Sequence, residues 1–188
     1  MFYQESYASP AAGDYNNDGN LDLYFTTIYE TASFGKENNP VLFRNDGKFF
    51  LTDATASAKL ANLSATYQAA WADYDNDGDL DIVTAKKVFE NQGTGNAWLK
   101  VKLHGDGARI NRSAIGAQVR IKMGNKTLTR QVEAGTGQAN QNDLTLHFGL
   151  GQHKEPVDLE IFWPNKSRQK ITGVKTNRLL TVRFGESH

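Results

Sequence analysis

The sequence states one pattern twice. Ala12–Tyr24 (AGDYNNDGNLDLY) and Trp71–Val83 (WADYDNDGDLDIV) carry the same order of acidic, glycine and apolar positions, 59 residues apart. A second block recurs at another spacing: Leu42-Phe43-Arg44-Asn45-Asp46-Gly47 corresponds to Val88-Phe89-Glu90-Asn91-Gln92-Gly93, 46 residues on. Two blocks recurring in fixed order mark an architecture of similar units. The two offsets differ by 13, so the first unit holds 13 extra residues. The polar stretch Thr27–Pro40 reads as an inserted loop.

Each copy has the chemistry of a calcium loop. A hard cation needs several oxygen ligands on a tight turn, supplied by alternate residues, with glycine at position 6 and a backbone carbonyl at position 7. The first copy offers Asp14, Asn16, Asp18, Gly19 and Asn20; the second offers Asp73, Asp75, Asp77, Gly78 and Asp79. An EF-hand would need Glu at position 12, where this chain has Phe25 and Thr84 inside β-prone runs. The closing carboxylate falls instead at position 9, Asp22 or Asp81. Turn formation alone needs no alternating carboxylates. Five Asp within residues 73–81 repel one another without a cation, so the second loop is expected to bind tighter than the first. Two Ca²⁺ sites follow, and Mg²⁺ fits less well because it keeps its waters.

Short β-prone runs follow each loop, Leu21–Thr27 and Leu80–Thr84, and Phe49–Leu51 reads as a further strand. Ala54–Leu63 reads as a short helix or as a connector between units. Asn91–Asn96 is a turn-rich linker and marks a boundary. Beyond it, apolar residues alternate with polar ones at 99–103, 119–123, 144–148, 157–161 and 180–184. Period two with one apolar face predicts antiparallel strands in a small β-sandwich or barrel. The expected fold is mostly β. Residues 1–96 form two repeats (about 1–53 and 54–96) and residues 97–188 form a β domain.

The zero net charge conceals an asymmetry. Residues 1–96 carry 14 acidic against 6 basic side chains, a net of −8, and residues 97–188 carry 7 against 15, a net of +8. The basic strand residues Lys100, Lys102, Arg120 and Lys122 read either as a polyanion site or as a face matched to the acidic half. Arg109, Arg112 and Arg130 lie nearby in sequence. Overall neutrality and the absence of a known motif argue against nucleic acid. Without cysteine there are no disulfides or thiolate metal sites. No apolar run reaches membrane-spanning length and no leader peptide is visible. Trp71 and Trp163 lie in apolar strand contexts and are expected in cores, whereas Trp98 falls at the domain contact. His104, His147, His153 and His188 show no catalytic or metal-ligand spacing and read as surface residues.

Gly13-Asp14-Tyr15-Asn16-Asn17-Asp18-Gly19-Asn20-Leu21-Asp22-Leu23 and its partner resemble FG-GAP/VCBS-type repeats, the blades of integrin-α-like β-propellers. Ser113–Val119, His147–Gly151, Phe162–Asn165 and Thr172–Val182 resemble an ASPIC/UnbV domain, as in cartilage acidic protein-like secreted proteins. The resemblance implies calcium-stabilised blades, an extracellular, periplasmic or cell-surface setting, and adhesion or recognition rather than a reaction. The partner would be a protein or glycan. A propeller needs 4–8 blades, and two repeats leave open edges. Missing upstream blades, packing on the second domain, and self-association remain open. So do two other functions: a carbohydrate- or polyanion-binding module, and an accessory C-terminal part of a larger secreted enzyme.

Overall fold

The Asp-rich loops are short because each joins two neighbouring antiparallel strands. The computed structural model describes residues 7–48, 50–137 and 140–186. Strand β1 (Tyr7–Gly13) runs into the first loop and β2 (Asp22–Thr27) leaves it. β3 (Val41–Asn45) and β4 (Leu51–Asp53) complete a four-stranded meander in the order β1-β2-β3-β4. The second unit repeats the plan in three strands, β5 (Ala69–Ala72), β6 (Asp81–Thr84) and β7 (Val88–Phe89). The extra strand expected at Phe49–Leu51 begins at Leu51; Phe49 lies outside the described residues.

The two meanders share one apolar core. Ala11, Tyr24 and Leu42 from the first meet Ala69, Trp71 and Ile82 from the second. The Tyr24 and Trp71 rings meet edge to face, with centroids 6.5 Å apart. Gly13 lies opposite Trp71; a Cβ there would come within 2.6 Å of the indole. Ala54–Leu63 is a connector, not a helix. One turn closes from Ala58 N to Ala54 O, and Lys59 then takes a positive φ of 58°. Ala54 and Leu60 seal the core from that connector. The inserted loop is itself ordered: Asn38 N donates to Glu30 O, and the Thr27 hydroxyl donates to Asn38 O.

The second half is a two-sheet sandwich. One sheet runs β10 (Lys126–Gln131), β9 (Gln118–Met123), β12 (Val157–Phe162), β13 (Arg168–Val174). The other runs β11 (Leu146–Gly151), β8 (Ala97–His104), β14 (Arg178–Arg183). Strands form over the alternating runs, although the one expected from Leu144 begins at Leu146, and the pairing is not purely antiparallel, because β14 lies parallel to β8. Leu99, Val101, Val119, Ile121, Phe148, Leu159, Ile161 and Val182 fill the space between the sheets. Fully burying each such side chain is worth about 1.5–3 kcal/mol.

β11 is covered on both sides. Leu146, Phe148 and Leu150 face the sandwich core. His147 and Gly149, on the opposite side, hydrogen-bond the two Asp-rich loops. The loops are thus held between their own meanders and the sandwich. No helix is long and apolar enough to cross a membrane among the described residues.

Candidate metal centre

Both loops are built from the same bonds. The first aspartate accepts the glycine amide through Oδ2: Gly19 N to Asp14 at 2.9 Å, and Gly78 N to Asp73 at 3.0 Å. The third acidic position accepts the amide two residues on: Asn20 N to Asp18 at 2.8 Å, and Asp79 N to Asp77 at 2.9 Å. The closing aspartate accepts the amide after position 1: Tyr15 N to Asp22 at 3.1 Å, and Tyr74 N to Asp81 at 3.0 Å. Its other oxygen accepts an amide from the second repeated block, Asn45 N or Asn91 N, each at 2.8 Å. This explains why the block recurs with each loop. Those asparagines also donate their side-chain amides to Leu21 O and Leu80 O. Position 4 takes a positive φ in both, 56° at Asn17 and 65° at Asn76, a conformation asparagine tolerates.

The loops differ in what remains for a cation. In the second, one carboxylate oxygen from each of Asp73, Asp75 and Asp81 lies within 4.8 Å of the others. At an effective dielectric near 20, each such pair of charges repels by about 3 kcal/mol. Asp73 Oδ1 is buried with no hydrogen-bond partner. An acceptor-only group left so costs about 1–3 kcal/mol or more. Three converging carboxylates and an orphaned oxygen fit a hard divalent cation. Asp73, Asp75 and Asp81 would hold it, Asp77 lies on the same loop, and the ion would cancel their mutual repulsion. The Asp79 side chain accepts from Asn17 Nδ2 at 2.7 Å, leaving position 7 its backbone carbonyl.

The first loop carries less charge, and its groups are more occupied. Asp14 Oδ1 accepts Asp18 N, and Oδ2 accepts the amides of Gly19 and Gly149. Asn16 donates to Asp18 Oδ2 at 3.0 Å, and Lys126 Nζ donates to Asn20 Oδ1 at 3.0 Å. No three-carboxylate group forms here among the described residues. Burial pushes Asp14 up to about 6, against the pull of Arg130. Burial pushes Asp22 up to about 7, against the hydrogen bond from Asn45. Asp79 is raised to about 6 and Asp81 is raised as well, both chiefly by burial with neighbouring aspartates adding to it.

Each first aspartate meets a cation from the second half. Lys100 Nζ lies 2.7 Å from Asp73 Oδ2, both side chains almost fully buried, and also donates to Asn76 Oδ1. Arg130 Nη2 lies 3.8 Å from Asp14 Oδ2 and over the Phe148 ring. Lys100 is therefore not part of an exposed polyanion face, although its strand alternates as if it were. Loop 2 covers that end of β8, while Lys102 stays exposed. Arg120 and Lys122 are exposed but belong to the other sheet, so the four lysines and arginines expected together are divided. Arg120 stacks on Phe162 and bonds Gln118.

His147 is also not a surface residue. It is buried, and its Nε2 lies 2.9 Å from Gly78 O, so that nitrogen carries the proton. Burial pushes its pKa down to about 4, with Arg130 and Lys100 adding to the fall. Trp98 packs over Gly78, where a Cβ would come within 1.8 Å of the indole. Asn17 crosses between the loops, donating to Gly78 O and Asp79. Asn91 donates to Tyr15 O, and Thr94 and Asn96 donate to Asn16 O. The sequence pattern missed Asn17, Lys100, Arg130 and His147. One signal was present: Gly149 and Gly151 alternate on one side of a strand, which marks close backbone approach.

Comparison with known proteins finds a match in each half of the chain. Residues 107–188 match the ASPIC and UnbV family, and residues 28–84 match the FG-GAP-like repeat family, a span that includes the second loop but not the first. The chain is 28% identical over 186 residues to cartilage acidic protein 1 of Mus musculus, covering 92% of this chain and 28% of the relative. It is 28% identical over 163 residues to the Homo sapiens protein of that name, covering 81% of this chain and 24% of the relative. The Xenopus tropicalis protein is 27% identical over 165 residues. The chain spans about a quarter of the length of these curated relatives. The chain is thus similar, in this order, to an FG-GAP-like repeat and to an ASPIC and UnbV domain.

Proposed function

We propose that this chain is a calcium-stabilised, noncatalytic recognition or adhesion module that works outside the cell on a protein or glycan partner. The observation that carries the reading is Asp73 Oδ1, buried and unpartnered beside the carboxylates of Asp75 and Asp81. Calcium serves the fold, because every candidate ligand also holds a backbone amide or neighbouring side chain in place. Extracellular calcium modules bind at about 10⁻⁴–10⁻³ M, which fills them outside cells and empties them in cytosol. Similarity to cartilage acidic proteins supports the same setting.

Calorimetric titration with calcium tests it. Two binding events are expected, the tighter one lost in Asp75→Ala and weakened in Asp77→Ala, with Lys122→Ala unchanged. Absence of any calcium heat in the folded protein would overturn the reading.

A further inference from the structure

A cleft of about 470 Å³ opens between the two meanders and the sandwich. Its size falls within the roughly 300–1,000 Å³ of small-molecule sites. Besides Asp73 Oδ1, three of the side chains lining it bear buried polar atoms that make no hydrogen bond: Trp71 Nε1, His147 Nδ1 and Arg130 Nη2, the last 3.8 Å from Asp14 Oδ2. Trp71 and His147 are more than nine-tenths buried. Buried polar groups are almost always hydrogen-bonded, so several buried N–H and N groups without hydrogen bonds around one cavity point to an occupant.

Their chemistry is mixed. The indole N–H and the guanidinium N–H are donors. His147 spends its proton on Gly78 O, so Nδ1 is an acceptor. The charges in the interior are balanced, Lys100 against Asp73 and Arg130 against Asp14. Exposed Glu133 and Asp143 stand among the remaining lining residues. The unpartnered Asp73 Oδ1 belongs to the candidate calcium site, the other interior charges are paired, and an anion would meet the carboxylates of Glu133 and Asp143. Leu23, Leu80 and Leu146 supply apolar wall.

We infer that this cleft binds a neutral polyhydroxylated molecule, a monosaccharide unit or similar polyol. Hydroxyl groups both donate and accept, so one ligand answers the two donors and the acceptor, while its C–H faces lie on the leucines. The inference goes beyond the calcium reading and assigns the glycan contact to the domain junction rather than to exposed tryptophans or basic strands.

The test is a nitrogen–proton correlation spectrum of the whole chain in saturating calcium. The three indole signals are separated by Trp71→Phe. Neutral sugars and inositol are added one at a time, beside glucuronate and glucosamine as charged counterparts. The Trp71 indole signal is expected to shift with at least one neutral compound and with neither charged one. Thr145→Phe, which places a bulky ring in the cleft at a residue that belongs to neither ion pair, should weaken that binding about tenfold or more. No shift with any neutral compound, or a shift only with a charged one, would overturn the inference. An unchanged affinity in Thr145→Phe would place the ligand elsewhere and overturn it equally. Loss of calcium heat would overturn the proposed function alone.

Discussion

Asp14 and Asp73 each accept the loop glycine amide and meet a cation from the second half, and Asp14 accepts the amides of Asp18 and Gly149 as well. Lys100 is the more buried of the two cations, and removing it leaves Asp73 charged and uncompensated. Lys100→Met should cost about 3–5 kcal/mol in urea unfolding. Lys102→Met, two residues along the same strand but exposed, should cost almost nothing. Titration gives a second set of expectations. The raised values of Asp14 and Asp22 mean that the folded, metal-free state holds protons the unfolded chain has lost. Their contribution to stability is present below about 4 and is lost as pH rises through about 6–7. Calcium must displace those protons, so its affinity at the first loop should fall as pH drops from about 8 to about 6. His147 has the opposite sign. Its folded value near 4 lies below the unfolded one, so its contribution is complete above about 6.5 and is lost as pH falls through 4. In calcium the His147 ring should titrate near 4 by proton resonance; a midpoint near 6.5 would show it exposed.

At the scale of elements, glycines set how closely the pieces approach. A Cβ on Gly149 would come within 2.4 Å of Asn17 Cα, which is backbone and cannot yield. A Cβ on Gly78 would come within 1.8 Å of the Trp98 ring, whereas one on Gly19 would lie 3.1 Å from Gly149 O and Lys126 Nζ. Gly78→Ala should therefore destabilise by more than about 2 kcal/mol. Gly19→Ala should lose less, chiefly its positive-φ cost of about 1 kcal/mol. Equal losses at both positions would show that φ, not Trp98, sets the cost. The strands themselves were legible, because alternation at Leu99–Leu103, Val119–Met123 and Val157–Ile161 is local and each face has one neighbour. The same rule failed at Lys100 and His147. Alternation tells which residues share a face; it does not tell that a loop from another domain covers that face. The repeated asparagines were visible as a pattern, but their work on the closing aspartates emerges only when β3 and β7 fold back beside the loops.

At the scale of the whole molecule, opposite charge in the two halves has become contact. The acidic loops of the first half rest on β10 and β11 of the second, with the −8 and +8 halves meeting at Asp14–Arg130 and Asp73–Lys100. The backbone of β5 is engaged as well: Asn142 Oδ1 accepts Trp71 N, and Asp143 N donates to Trp71 O. Those bonds occupy a strand edge that would otherwise invite pairing with another chain. Calcium bound in the loops should therefore stabilise the sandwich as well as the meanders. The most direct measurement is thermal unfolding of the whole chain in excess calcium and again in excess EDTA. At a calcium concentration a hundredfold above the dissociation constant, linkage contributes about 2.7 kcal/mol. For a chain of this size that corresponds to a rise of roughly 5–10 °C. The expected result is one transition in calcium, lowered by that amount in EDTA and restored when calcium is returned. The same melting curve in both conditions would contradict the account.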